Sequence, residues 1–328
     1  MRLTFLTTML FLSLYGCQAQ TDKSMEETKN PLLCTPEEGK CELPGTTKAP
    51  TAKLVENTPK ILTITYFTDP ICSSCWGIEP QLRKLKLEYG NSIQINYHMG
   101  GLLPDWSYNS GGISKPSDVA HHWDEVSAYY KMPIDGDVWL EDPLDSSYPP
   151  SIAFKAAQVQ DEQKALQFLR RIREMVFLEK KNITKWEYLS EAASHVGLDT
   201  IQLKKDFQGS ARTLFQYDLN LGRQLGVRGF PTLFISNQTG EQSLVYGFKS
   251  YKVFETSIKK LAPEIEKNSY DSNWEGLFQK YPTLTTREFA ELSGQRIERS
   301  KVLLQQLQQE QKIDRYTIKN GTLWKRKI

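Results

Sequence analysis

Two cysteines three residues apart, Cys72 and Cys75, follow directly on the apolar run Lys60-Ile-Leu-Thr-Ile-Thr-Tyr-Phe67, and no other feature restricts the fold as strongly. The run is β-branched and aromatic, which predicts a strand, central in its sheet. Beyond the cysteines, Ile78, Leu82, Leu85 and Tyr89 recur at helical spacing until Gly90 and Asn91 stop the pattern. The thiols therefore sit where a strand hands over to a helix. Residues i and i+3 share a helix face, so the pair can close a short disulfide with little backbone movement. A thiol on the first turn also meets the positive end of the helix dipole, which favours thiolate. The expectation is a reactive pair with Cys72 exposed at the helix start.

The order of the remaining elements extends this unit. Ile93 to His98 alternates as a second strand, giving a right-handed βαβ crossover. Helical patterns then occupy residues 117–131, 150–160, 161–181, 185–196, 199–208 and 210–225, with no strand signal among them. The third carries the cleanest apolar stripe, Ala165, Phe168, Leu169, Ile172, Met175 and Val176. Strand character returns at Gly229-Phe-Pro-Thr-Leu-Phe-Ile-Ser, and a Gly240-containing turn leads into Ser243-Leu-Val-Tyr246, a β-hairpin. An amphipathic helix from Tyr251 to Lys267 closes the unit.

All five cysteines, Cys17, Cys34, Cys41, Cys72 and Cys75, lie in the first quarter of the 328 residues. A stabilising disulfide framework would be spread across the fold, so this clustering points to chemistry. Arg2, the mostly apolar run from Leu3 to Tyr15, and the small residues after it form a secretory signal, too short to span a bilayer comfortably. Leu14-Tyr-Gly-Cys17 resembles a bacterial lipobox, which implies lipidation at Cys17; cleavage after Ala19 is the competing expectation. Residues 18–58 are rich in Thr, Lys, Glu and Pro, the composition of a flexible tether. Within them, Cys34-Thr-Pro-Glu-Glu-Gly-Lys-Cys41 has a turn-forming centre that brings its thiols together. A local disulfide clip, an electron relay to Cys72 and Cys75, and metal binding are the alternatives. Zinc ranks last, because the gap between these thiols is wider than the two to four residues usual between paired ligands.

The order of elements, with Cys-x-x-Cys at the first strand-helix junction, is similar to a thioredoxin fold with a large helical insertion. The DsbA family of thiol-disulfide oxidoreductases has this arrangement. Gly226-Val-Arg-Gly-Phe-Pro231-Thr resembles the loop in which that fold carries a cis-proline facing the cysteines. Phe67-Thr-Asp-Pro-Ile-Cys-Ser-Ser-Cys-Trp, Met99-Gly-Gly-Leu-Leu-Pro and Ser146-Ser-Tyr-Pro149 are most similar to the FrnE branch, which includes the YjbH/SpxH protease adaptors. The resemblance covers roughly residues 60–265. The dipeptide Ser73-Ser74 departs from the family, and Tyr66 stands where thioredoxin has a buried acid. Pro80 follows thioredoxin, and a proline there kinks the helix.

What the resemblance implies is an enzyme, a protein disulfide oxidoreductase, and the signal sequence makes it an exported one. Cys72 attacks a substrate disulfide, Cys75 resolves the mixed disulfide, and Pro231 lies opposite. The backbone beside it pairs with an extended substrate, with Gly229, Phe230 and Trp76 contacting it. No cofactor is expected beyond the redox-active disulfide, and no metal. Glu79 stands on the same helix face as Cys72 and is a candidate for proton transfer, against the alternative of a solvated charge. His98, His121, His122 and His195 are scattered and form no ligand set. The partners expected are protein thiols and disulfides, a redox partner, and a membrane reached through the lipid anchor, placing the chain in the periplasm or at an outer membrane. The alternatives are a non-catalytic adaptor on the same scaffold and a glutathione-dependent isomerase.

The chain thus divides into a signal (1–17), a tether (18–58), a thioredoxin domain (59–268, with the insertion at about 107–226) and a C-terminal module (270–328). In that module Thr285 to Leu292 and Arg296 to Gln309 are helical, and Asn320-Gly321 between apolar residues marks a hairpin. This is the outline of a winged helix, and it makes the fold class α/β with a small α+β addition. Lys+Arg 41 against Asp+Glu 39 leaves a net charge of +2, so nucleic acid is not an expected partner despite a basic C-terminus.

Overall fold

The computed structural model describes residues 61–107 and 114–327, and the backbone of two short strands before them, β1 (Cys34–Thr35) and β2 (Lys40–Glu42). The expected signal and lipidation site at Cys17, and most of the tether, lie outside the described residues. The chain then enters β3 (Leu62–Thr68), whose seven residues are all buried. A strand covered on both faces must be apolar or internally hydrogen-bonded at every position, which explains why its pattern is a continuous run. The cysteines follow on α1 (Ser73–Gly77) and α2 (Glu79–Tyr89), and β4 (Ile93–Met99) returns parallel to β3.

The helical insertion comprises α3 (Pro116–Tyr130), α4 (Val138–Glu141), α5 (Tyr148–Gln160), α6 (Glu162–Leu178), α7 (Trp186–His195), α8 (Thr200–Gln208) and α9 (Ser210–Gln224). Of these only the one-turn α4 carries no periodic signal. The start of α6 is fixed locally: Asp161 accepts from the backbone N–H groups of Gln163 and Lys164 at 2.8 and 2.9 Å. All six residues of its predicted stripe are buried.

β5 (Gly229–Phe230), β6 (Thr232–Asn237) and β7 (Gln242–Tyr246) follow, then α10 (Tyr251–Leu261). The main sheet has the order β4-β3-β6-β7, so β3 is central, as its sequence predicts. The helix predicted from Tyr251 to Lys267 stops at Leu261, because Pro263 lacks the N–H a continuing helix needs.

The C-terminal module contains α11 (Trp274–Lys280), β8 (Thr283–Thr285), α12 (Thr286–Ser293), α13 (Ile297–Gln309), β9 (Ile313–Ile318) and β10 (Gly321–Arg326). The two helices and the hairpin agree with the sequence pattern. β8 was not legible: three residues gain their strand character from pairing with β10 in a sheet of order β8-β10-β9. A second apolar core of Leu277, Phe278, Leu284, Phe289, Leu304 and Trp324 fills the module. Its Leu323 belongs instead to the main core, so the two parts are packed together.

Candidate functional site

Cys72 is the N-cap of α1, and its sulfur accepts from the backbone N–H of Cys75 at 3.1 Å. The two stand as thiols in the structure, and both are completely buried. The helix breaks at Ile78, leaving α1 only five residues long, and Pro80 lies in the first turn of α2.

Two expectations about Cys72 are corrected here. It is not exposed, and its thiol is pushed up rather than down. Burial is the largest cause, with the neighbouring Cys75 and Asp69 adding to it. One turn of helix supplies too small a dipole to offset removal from water. Cys75 goes the other way. Burial opposes its ionisation, but the hydrogen bond from Cys72, the guanidinium of Arg173 and a hydrogen bond from Thr68 outweigh it and hold the thiol below its ordinary value. The two thiols are thus pushed in opposite directions.

Arg173 causes much of this. It is fully buried on α6, donating through Nη1 to Glu79 Oε1 at 2.5 Å and through Nη2 to Thr68 Oγ1 at 2.6 Å and the Asp69 carbonyl at 3.2 Å. The Thr68 hydroxyl also lies 3.0 Å from that of Tyr66. Glu79, the candidate for proton transfer, is thus the counter-ion of Arg173. Sequence reasoning missed Arg173, because nothing in an amphipathic helix marks which arginine will face inward.

It also missed the buried acid. Tyr66 occupies the thioredoxin position, but Asp69, three residues before Cys72, is wholly buried. Its carboxylate accepts from Ile71 N, Leu102 N and Ser147 Oγ at 3.0, 2.7 and 2.8 Å. Burial pushes it up to about 6 despite those bonds. An aspartate inside an apolar stretch was the available signal. On the other side, Tyr130 shares a 2.6 Å hydrogen bond with Ser74.

Trp76, expected beside a substrate, faces the core. Its Nε1 donates to the Pro133 carbonyl at 3.0 Å, its ring stacks on Phe177 with centroids 5.5 Å apart, and Arg170 lies 4.4 Å from its centroid. Phe230 is buried too, its ring pressed on the backbone of Gly100. A Cβ there would stand 1.7 Å from Phe230 Cζ, which is why the Met99-Gly-Gly segment has glycine. The Phe230–Pro231 peptide is cis, as the resemblance implies. Gly229 and Phe230 present their backbone to β2, in antiparallel register Cys41 with Phe230 and Glu42 with Gly229. Cys34 is opposite Cys41 in the backbone register of the β1–β2 pair.

The histidines have separate surroundings. His98 Nδ1 meets Asp218 Oδ1 at 2.8 Å, His121 pairs with Glu125, and burial lowers His122 to about 4.

This fold and site define a thioredoxin-like protein with a Cys-x-x-Cys helix start and a helical insertion. A thioredoxin family model matches residues 66–256. The ClpXP adapter protein SpxH of Halalkalibacterium halodurans is 33% identical over 308 residues, covering 92% of this chain and 99% of its own length. The SpxH of Bacillus subtilis is 31% identical, covering 81% and 89%. The chain belongs to the thioredoxin family and, within it, to the SpxH proteins. Among solved structures, a candidate protein disulfide isomerase from Nitrosomonas europaea has a TM-score of 0.54 at 20% identity, covering 61% of this chain and 97% of its own. The cytosolic disulfide reductase DsbM from Pseudomonas aeruginosa has 0.50 at 22%, covering 60% and 99%. These structures share the fold. The enzyme expectation is overturned by the relatives: the proteins that match 81 to 92% of the chain are named adapters, not oxidoreductases.

Proposed function

We propose that this protein is a protein-binding adaptor, using the thioredoxin body and the C-terminal module together to hold a client protein for a second protein. The supporting observation is one of extent. The match to SpxH of H. halodurans covers 92% of the chain, whereas the oxidoreductase structures cover only 60 to 61%.

The relatives are, by name, ClpXP adapter proteins. The signal-like residues before Cys17 would set this chain apart by tethering it to a membrane through acyl chains. No helix among the described residues is long and apolar enough to cross one. Palmitate labelling of the wild type and of Cys17→Ser, followed by fractionation, decides between a tethered adaptor and one that meets ClpXP. The adaptor function itself is tested by crosslinking the full chain to its client in cells. A client bound equally by wild type and by Cys72→Ser/Cys75→Ser supports it. A client trapped only as a mixed disulfide on Cys72 refutes it.

A further inference from the structure

The strand β2 occupies a place in the fold that a separate polypeptide could take. β5 leads through Pro231 into β6 at the centre of the main sheet, and its other edge offers backbone N–H and C=O groups beside the cysteine helix. An open edge of this kind accepts an extended chain by strand addition. Here that edge is taken by the chain's own residues 40–42, antiparallel, with Cys41 against Phe230 and Glu42 against Gly229. β2 also approaches α1, the helix capped by Cys72, with Cα–Cα separations within 8 Å. Cys72, at the start of that helix, has no exposure to solvent.

We infer that β2 is a resident lid: it fills a docking edge for an extended peptide beside Pro231, shields Cys72, and is displaced when a partner's strand takes its place. The pairing is short, two residues against two, and such a strand is weak in isolation. β2 and β3 belong to one chain, so β2 competes for the edge as an intramolecular strand. A partner that offers a longer strand gains more ladder bonds than β2 gives up, and specificity falls to its side chains at alternate positions. The register opposing Cys34 to Cys41 gives the lid a second control: a disulfide between them would stiffen the β1–β2 hairpin and favour the closed form. This deepens the adaptor reading by naming an edge a client would use, but its first observable, the exposure of Cys72, does not depend on that reading.

The test is the rate at which a maleimide alkylates Cys72 in the folded full chain, read residue by residue by mass spectrometry. Neighbouring N–H groups of a strand point to opposite edges, so Cys41→Pro/Glu42→Pro removes whichever donor serves β5, with Cys41→Ser as the control. A second form carries a protease site between residues 43 and 58 and is cut only after folding, so that the core cannot have misfolded. The lid predicts alkylation about tenfold faster or more in the proline variant and after cutting and dilution. A synthetic peptide copying residues 34–46, added at millimolar concentration, should restore protection. An unchanged rate on cutting overturns the inference, as does a faster rate that the peptide does not reverse. If both arms succeed and yet no client crosslinks to the chain, the lid stands and the adaptor function fails.

Discussion

Arg170 and Glu288 join the helical insertion to the C-terminal module through a two-pronged ion pair, Nη1 to Oε1 at 2.7 Å and Nη2 to Oε2 at 3.1 Å. Glu288 is fully buried. Burial opposes its charge, but Arg170 and Arg83 outweigh that and hold its carboxyl below the ordinary range. The same carboxylate closes the capping box of α12, accepting from Thr285 N at 2.7 Å. The Arg170 guanidinium also lies over Trp76, next to Cys75. The module is therefore wired to the back of the cysteine helix, not attached by a linker alone.

Breaking this pair from one side strands a buried charge. Glu288→Gln should lower unfolding free energy by about 3 kcal/mol or more, measured by urea titration. In a double-mutant cycle with Arg170→Met the coupling should exceed about 1 kcal/mol. Additive effects would mean that the two side chains do not act as a pair.

Arg173 should govern which sulfur ionises. In Arg173→Met the Cys75 thiol should titrate higher than in the wild type, followed through the ultraviolet absorbance of the thiolate in a Cys72→Ser background. An unchanged titration would show that Thr68 and the backbone suffice.

Gly100→Ala places a methyl in the Phe230 ring, and overpacking of that kind costs about 2 kcal/mol. The loss should shrink when Phe230→Leu is combined with it. Thermal unfolding of the two variants and the double variant reads this directly.

Two buried groups oppose each other between pH 4 and 6.5. Asp69 is raised from 3.8 to about 6, so its favourable contribution is present below 3.8 and lost as pH rises through 6. His122 is lowered from 6.5 to about 4, so its contribution is present above 6.5 and lost as pH falls through 4. Each amounts to about 3 kcal/mol, and in the wild type they largely cancel. Asp69→Asn should therefore make stability rise with pH across this window, and His122→Gln should make it fall. Parallel curves for wild type and variants would contradict both shifts.

Thiol-disulfide turnover is the remaining check. The wild type should not speed the reduction of insulin by dithiothreitol above the rate without protein. Clear turnover, lost in Cys72→Ser, would reverse the correction drawn from the SpxH relatives.

The sequence alone determined the thioredoxin core of the fold. Continuous apolar runs, one clean helical stripe and the cysteine pair followed far downstream by Phe230-Pro231 each report on their own neighbourhood, and β3, α6 and the hairpin β6–β7 came out as those local patterns require. It also named the thiols. What it could not supply was their environment, because burial and charge at Cys72 and Cys75 come from residues distant in the sequence. Arg173 and Tyr130 arrive from the insertion, Glu288 from the C-terminal module by way of Arg170, and β2 from the segment ahead of the domain. A first-turn cysteine reads as an exposed thiolate while the helix is considered by itself. Only the tertiary structure shows that water is excluded, that the inner sulfur faces the guanidinium, and that the docking edge is already filled, since desolvation and Coulomb terms depend on what is packed nearby rather than on local sequence.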